Sequence, residues 1–305
     1  MHVITGRWQL GLVLALVTAL MWGLLPIALK GVLGPMDAVT ITWFRFFLST
    51  LLIGTYIQCR GGFPWRKLFD RTMAGRFVVA IVCLLGNFLL YLLGLDYTTA
   101  SAAQVMIQLA PMLMLVLSLF IFNERFSLGQ GFGVVLFLLG LVLFFNLRIP
   151  EILAAQGQYV LGVGLIFLAA VVWAAYGIIQ KQLQTSLTSM EILWIIFAVG
   201  AVTFAPAADF SSFAQLSPFA WGCLLFSGVN TVIAYGTFAY ALVHWEASRV
   251  SATITLVPVI TLCCVQILDW IAPDFLVAEP MNWLSWLGAG LVVLGSMLAA
   301  LLKGR

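Results

Sequence analysis

The sequence predicts an all-α integral membrane protein of ten transmembrane helices arranged as two inverted five-helix repeats. Three features carry this. The 305 residues are 63% hydrophobic and 8% charged, with a mean hydropathy of +1.12. Apolar runs of spanning length follow one another along the chain. One pattern of residues is written twice. Soluble domains carry about 25% charged residues, and no water-soluble core of this size hides so much apolar surface, so the solvent is lipid. The surplus charge of +3 gives no nucleic-acid signal.

A spanning helix needs about 20 mostly apolar residues. Ten runs qualify: Trp8–Leu29, Ala38–Ile57, Phe77–Leu95, Ala100–Phe122, Leu128–Leu147, Tyr159–Ile179, Ile192–Ala207, Pro218–Val243, Ala247–Ile271 and Asn282–Leu302. The first is long for a signal-peptide core and lacks a convincing cleavage site, so it reads as a retained helix. The breaks are short and hold no soluble domain. Of the five cysteines, only Cys59 lies outside the apolar runs, and none forms a CxxC pair. They read as small apolar residues. Two histidines, His2 and His244, are too few for a metal site, and no cofactor is expected.

Lys and Arg set the orientation. With both termini cytoplasmic, eleven of the 14 basic residues fall inside, two (Lys30 and Arg148) fall outside, and Arg45 lies within the second run. The reverse orientation inverts this bias.

The repeat sets Trp22 against Trp173, each followed eight residues later by a lysine, Lys30 and Lys181. "TASAAQVMIQLAP" (Thr99–Pro111) matches "EASRVSATITLVP" (Glu246–Pro258). Glu124, Gly133 and Gly140 match Glu279, Gly288 and Gly295. The units are residues 1–150 and 151–305. Each has five helices, an odd number, so the second enters the membrane upside down. Inverted repeats are a recurrent build of secondary transporters, because exchanging the conformations of two related halves yields inward and outward states.

The doubled five-helix unit, a Trp-Gly at Trp22–Gly23, the Ala-Ser…Pro stretch opening the fourth helix, the Glu ending it and Arg45–Phe46 in the second helix resemble the EamA domains of the drug/metabolite transporter superfamily. The resemblance covers nearly the whole chain. It implies a ten-helix inner-membrane carrier with a central cavity, exporting small metabolites such as amino acids. The second copy departs from the pattern: Ile196 stands where Arg45 would be matched, and Trp-Gly becomes Trp173–Ala174.

Polar groups in a span face protein or a watery path. Gln104, Gln108 and Pro111 share one face of the fourth helix at i, i+4, i+7, and Ser251, Thr255 and Pro258 repeat that spacing on the ninth. Each proline frees the carbonyl four residues earlier, Ile107 or Ile254, and is a candidate hinge. The plainer reading is a common membrane-helix kink with Gln and Ser as interhelical glue. Trp22 and Trp173 lie away from the interfacial belt, with Tyr176 on the face of Trp173. They form an aromatic wall for a flat, apolar or ammonium-bearing solute, or core packing between the repeats. Asn87, Tyr91 and Tyr235 are weaker lining candidates, since Asn in lipid more often bonds a neighbouring helix.

Arg45 reads as a residue that snorkels to the interface, with a carboxylate anchor as its functional alternative. Lys30 and Lys181 end their helices as anchors. Glu124 and Glu279 are expected to bind backbone amides or basic loop residues. The glycines in Gly129–Gly133 and Gly288–Gly295 predict close packing of the fifth and tenth helices, as an inter-repeat or homodimer contact.

Without a Walker motif, self-contained primary transport is excluded. An enzyme needs paired carboxylates, a metal cluster or an activated nucleophile, and the acids are scattered over loops. A pore needs a selectivity ring. Amides, hydroxyls and aromatics favour a neutral or zwitterionic solute, with amino acids first. A drug, nucleoside or nucleotide-sugar carrier is the alternative.

Overall fold

The computed structural model describes residues 7–62, 71–122, 127–154 and 157–302, and the candidate Glu124 lies outside them. The helices are α1 (Trp8–Lys30), α2 (Ala38–Cys59), α3 (Arg71–Tyr97), α4 (Ala100–Met106), α5 (Leu109–Phe122), α6 (Leu128–Phe144), α7 (Ile149–Leu153), α8 (Gln158–Leu183), α9 (Ser189–Phe204), α10 (Pro218–His244), α11 (Ala247–Ile254), α12 (Val257–Ile271) and α13 (Trp283–Leu301). Among the described residues, nine spans are long and apolar enough to cross a membrane, and α6 is a shorter apolar helix of 17 residues. Together they make the ten-helix, two-repeat fold. The start of α1 and the end of α13 share one face of the molecule, here the near face; the other is the far face.

Two predicted runs are broken helices. The fourth is α4 and α5, interrupted at Ile107–Gln108. The ninth is α11 and α12, interrupted at Thr255–Leu256. The interruptions end three and two residues before Pro111 and Pro258, whose rings clash with the carbonyl of the preceding turn. The Ile107 carbonyl is not free: it accepts the Ala110 N–H at 2.9 Å in a tighter turn. Capping chemistry moves other boundaries. Thr188 and Glu191 form a capping box that starts α9 three residues before the predicted run. Asp37 caps α2 by accepting from the N–H groups of Val39 and Thr40 at 2.8 and 3.0 Å.

Pseudo-symmetry orders the packing. α3 lies along α8 as α10 lies along α1, while α2 meets α9 and α6 meets α13 between the repeats. In lipid, helices gain little from hiding apolar surface, so close backbone approach and buried hydrogen bonds must hold them together. The α6–α13 seam shows the first device. A Cβ on Gly140 would stand 2.5 Å from the Val292 N, and one on Gly133 would stand 2.6 Å from the Ala299 N. The predicted glycine face is thus filled within one chain. The second device links the repeats reciprocally. Asn87 of α3 donates to the Ala169 carbonyl of α8 at 2.9 Å, and Asn230 of α10 donates to the Met21 carbonyl of α1 at 2.6 Å.

Candidate transport site

The polar centre forms where α1, α2, α3, α4, α8 and α10 converge. Trp22 packs edge-on against Tyr235, with ring centroids 5.6 Å apart, and also touches Phe238. Trp173 and Tyr235 pack into the same apolar cluster as Tyr176, which is buried and has a hydroxyl without a partner. Tyr235 thus joins Trp22 of the first repeat to the cluster that holds Trp173 of the second. Across the centre, the Tyr91 hydroxyl donates to Gln104 Oε1 at 3.2 Å. Buried Gln108 keeps its Nε2 unpartnered.

The other candidates lie elsewhere or are engaged. Asn87 spends its amide N–H on α8. Thr255 is buried and donates to the Ala252 carbonyl at 2.7 Å. Ser251 is exposed, unlike its repeat partner Gln104, which is buried. Pro111 and Pro258 sit near the starts of α5 and α12.

Arg45 does not snorkel. It lies two turns into α2, about 10 Å from the helix start at 1.5 Å per residue, and is 3% exposed. Its Nη2 donates to Thr231 Oγ1 at 3.1 Å, and its Cζ stands 4.6 Å from the Phe88 ring centroid. Tyr91 and Tyr235 lie within its electrostatic reach. Phe88 and Thr231 escaped the sequence reading. Thr231 carried a signal, since Asn230–Thr231 interrupts an apolar run.

On the far face, a second polar cluster ties the repeats together. Glu279, 5% exposed, accepts from Thr99 Oγ1 at 2.5 Å, Arg148 Nε at 2.9 Å and the Tyr159 hydroxyl at 3.1 Å. Arg148 also pairs with Glu151 at 3.1 Å and lies 4.2 Å over the Tyr159 ring. Partial burial works against the Arg148 charge. The hydrogen bond and charge of Glu279, joined by Tyr159 and Glu151, outweigh it and hold the guanidinium pKa above the usual arginine value. Thr99 caps α4 in the first repeat, Tyr159 opens α8 in the second, and Glu279 precedes α13.

The half-helices break the pseudo-symmetry. In the far half, α4 packs against α12 and α1. Among the described residues, its counterpart in the near half, α11, packs less against α5 and α8, and lies against α13, α1 and α10. The near-face counterpart of Thr99 is Glu246, which among the described residues pairs with Arg249 of its own helix turn at 2.9 Å, both more than half exposed.

Residues 9–146 and 160–301 match the EamA-like transporter family. The chain belongs to that family. The EamA match covers both repeats, and the protein is a membrane transporter rather than a soluble or peripheral one. Among EamA relatives, the uncharacterized inner membrane transporter YhbE of Escherichia coli K12 is 38% identical over 96% of this chain and 91% of its own length. An uncharacterized transporter of Haemophilus influenzae is 38% identical over 96% and 95%. A probable amino-acid metabolite efflux pump of Escherichia coli K12 is 24% identical over 93% and 92%. A solved crystal structure aligns over 97% of this chain and 98% of its own with a TM-score of 0.66 at 18% identity, a likeness of fold. These relatives place this EamA protein in the inner membrane.

Proposed function

We propose that this chain is a secondary transporter that exports small neutral or zwitterionic metabolites, amino acids first, by alternating access. The observation that carries the reading is the unequal packing of two equivalent half-helices: among the described residues, α4 packs against α12 and α1 more extensively than α11 packs against α5 and α8. Two related units in different arrangements are what a carrier needs, because exchanging the arrangements reverses access. With the termini cytoplasmic, as the lysine and arginine bias argues, this is a state closed outside and open inside. Glu279 and its partners form the outer closure, Pro111 and Pro258 are the hinges, and the polar centre holds the solute.

The amino-acid assignment rests on the chemistry of that centre and on the distant efflux relative. The test is counterflow in proteoliposomes loaded with unlabelled amino acids, nucleosides or sugars, one per batch, with uptake of the matching trace label. Saturable exchange of an amino-acid class, lost in Trp22→Ala and Gln108→Ala, is the expected result. Exchange of nucleosides or drugs alone moves the substrate to the alternative class, and unsaturable leak replaces the carrier by a pore.

A further inference from the structure

Arg45 is a buried cation in a spanning helix with no carboxylate paired to it among the described residues. A guanidinium carries five N–H donors. Here Nη2 meets Thr231, and Nε has no partner. Burying an incompletely paired charge is costly, more so within a bilayer, where such residues mark solute paths by default. Two neighbours share the deficit. Thr42, Arg45 and Ser49 stand on one face of α2 at i, i+3, i+7. All three are buried, and Thr42 Oγ1 and Ser49 Oγ also lack partners. Three donor side chains on one stripe thus await an acceptor.

The fold itself does not require the charge. The matched position of the second repeat is Ile196, fully buried in the apolar cluster that includes Phe46, Phe88 and Phe197. An aliphatic side chain does the packing there. The guanidinium in the first repeat therefore answers a different need.

We propose that Arg45, with Thr42 and Ser49, binds the carboxylate of the transported solute. The assignment rests on the carrier reading above and narrows its substrate to zwitterions that carry one carboxylate. The guanidinium fork matches a carboxylate in two parallel hydrogen bonds. One cation balances one negative charge, which disfavours a phosphate dianion. Tyr91 and Tyr235 lie within electrostatic reach of the guanidinium, and Tyr235 packs on Trp22 and shares a cluster with Trp173. An α-carboxylate on Arg45 thus directs the rest of the solute toward the rings, where an ammonium gains cation–π contact.

The experiment is counterflow with L-leucine, L-phenylalanine and L-threonine, their carboxamides, and uridine and tetraethylammonium as probes without a carboxylate. Wild type, Arg45→Ile, Arg45→Gln and Arg45→Lys are compared after checks of monodispersity and helicity. Arg45→Ile borrows the residue that packs in the other repeat. The expected result is exchange of at least one amino acid but not its amide. Arg45→Ile and Arg45→Gln lower that exchange by about tenfold or more, the worth of a charge-assisted hydrogen bond, and Arg45→Lys keeps part of it. Should the variants fail to fold, the acid-against-amide comparison on wild type decides alone. Equal exchange of acid and amide overturns the assignment, as does wild-type exchange by a folded Arg45→Ile. Exchange of uridine or tetraethylammonium only overturns it while leaving the carrier intact. No exchange of any probe overturns both.

Discussion

The far and near halves of the molecule are made from one repeated pattern and packed in two ways. On the far side, Thr99, Arg148 and Tyr159 converge on Glu279, and α4 lies against α12. On the near side, among the described residues, the counterpart of Thr99 is Glu246, paired with Arg249 of its own turn, and α11 packs less against α5 than α4 does against α12. Between them, the α6–α13 seam and the reciprocal Asn87 and Asn230 bonds are built alike in both repeats. The difference separates what stays fixed from what changes. A matched scaffold joins the repeats, and the half-helices are where their packing differs.

The largest effect is expected where the halves agree. Gly140→Leu drives a side chain into the α13 backbone and should cost about 3 kcal/mol, read as loss of monodisperse protein and a lowered thermal midpoint in detergent. Next comes the far closure. Glu279→Gln keeps an acceptor for Thr99 and Tyr159 but removes the charge facing Arg148. Arg148 is partly exposed, which reduces the effect from that of a fully buried pair. It should shift the equilibrium toward far-side opening by about tenfold, or about 1.4 kcal/mol. A broadened spin-label distance between positions 97 and 270 would report it.

Asn87→Ala and Asn230→Ala should each cost about 1 kcal/mol, and similarly, because each ties the third spanning helix of one repeat to the first of the other. Unequal unfolding midpoints would show that the scaffold shares the asymmetry of the half-helices. The smallest effect belongs to Glu246→Gln. Its pair with Arg249 is exposed and local, worth at most about 0.5 kcal/mol, so the distance between the far-side labels should not move.

The sequence carries the helices plainly, because spanning length and apolarity are local properties. The repeat and its inversion follow from matched glycines and from counting helices. The helix breaks at Ile107–Gln108 and Thr255–Leu256 are less legible, since apolarity is blind to backbone hydrogen bonding even with Pro111 and Pro258 in view. The α9 start was readable in Thr188 and Glu191, but the apolar run began later. Burial of Arg45 was beyond reach, because snorkelling and inward pointing differ only in which neighbours meet the side chain. The Glu279 cluster depends on Thr99, Arg148 and Tyr159 arriving from three distant segments, and no spacing encodes that.

The most direct test of the central claim is thiol accessibility in reconstituted protein with its five cysteines replaced. Ser251→Cys and Gln104→Cys mark equivalent positions on α11 and α4. A water-borne thiol reagent should modify Ser251→Cys readily from the near face and leave Gln104→Cys protected from the far face, with Glu279→Gln narrowing the gap. Equal reactivity at the two positions, or faster reaction at Gln104→Cys, would contradict an alternating-access carrier closed on its far side.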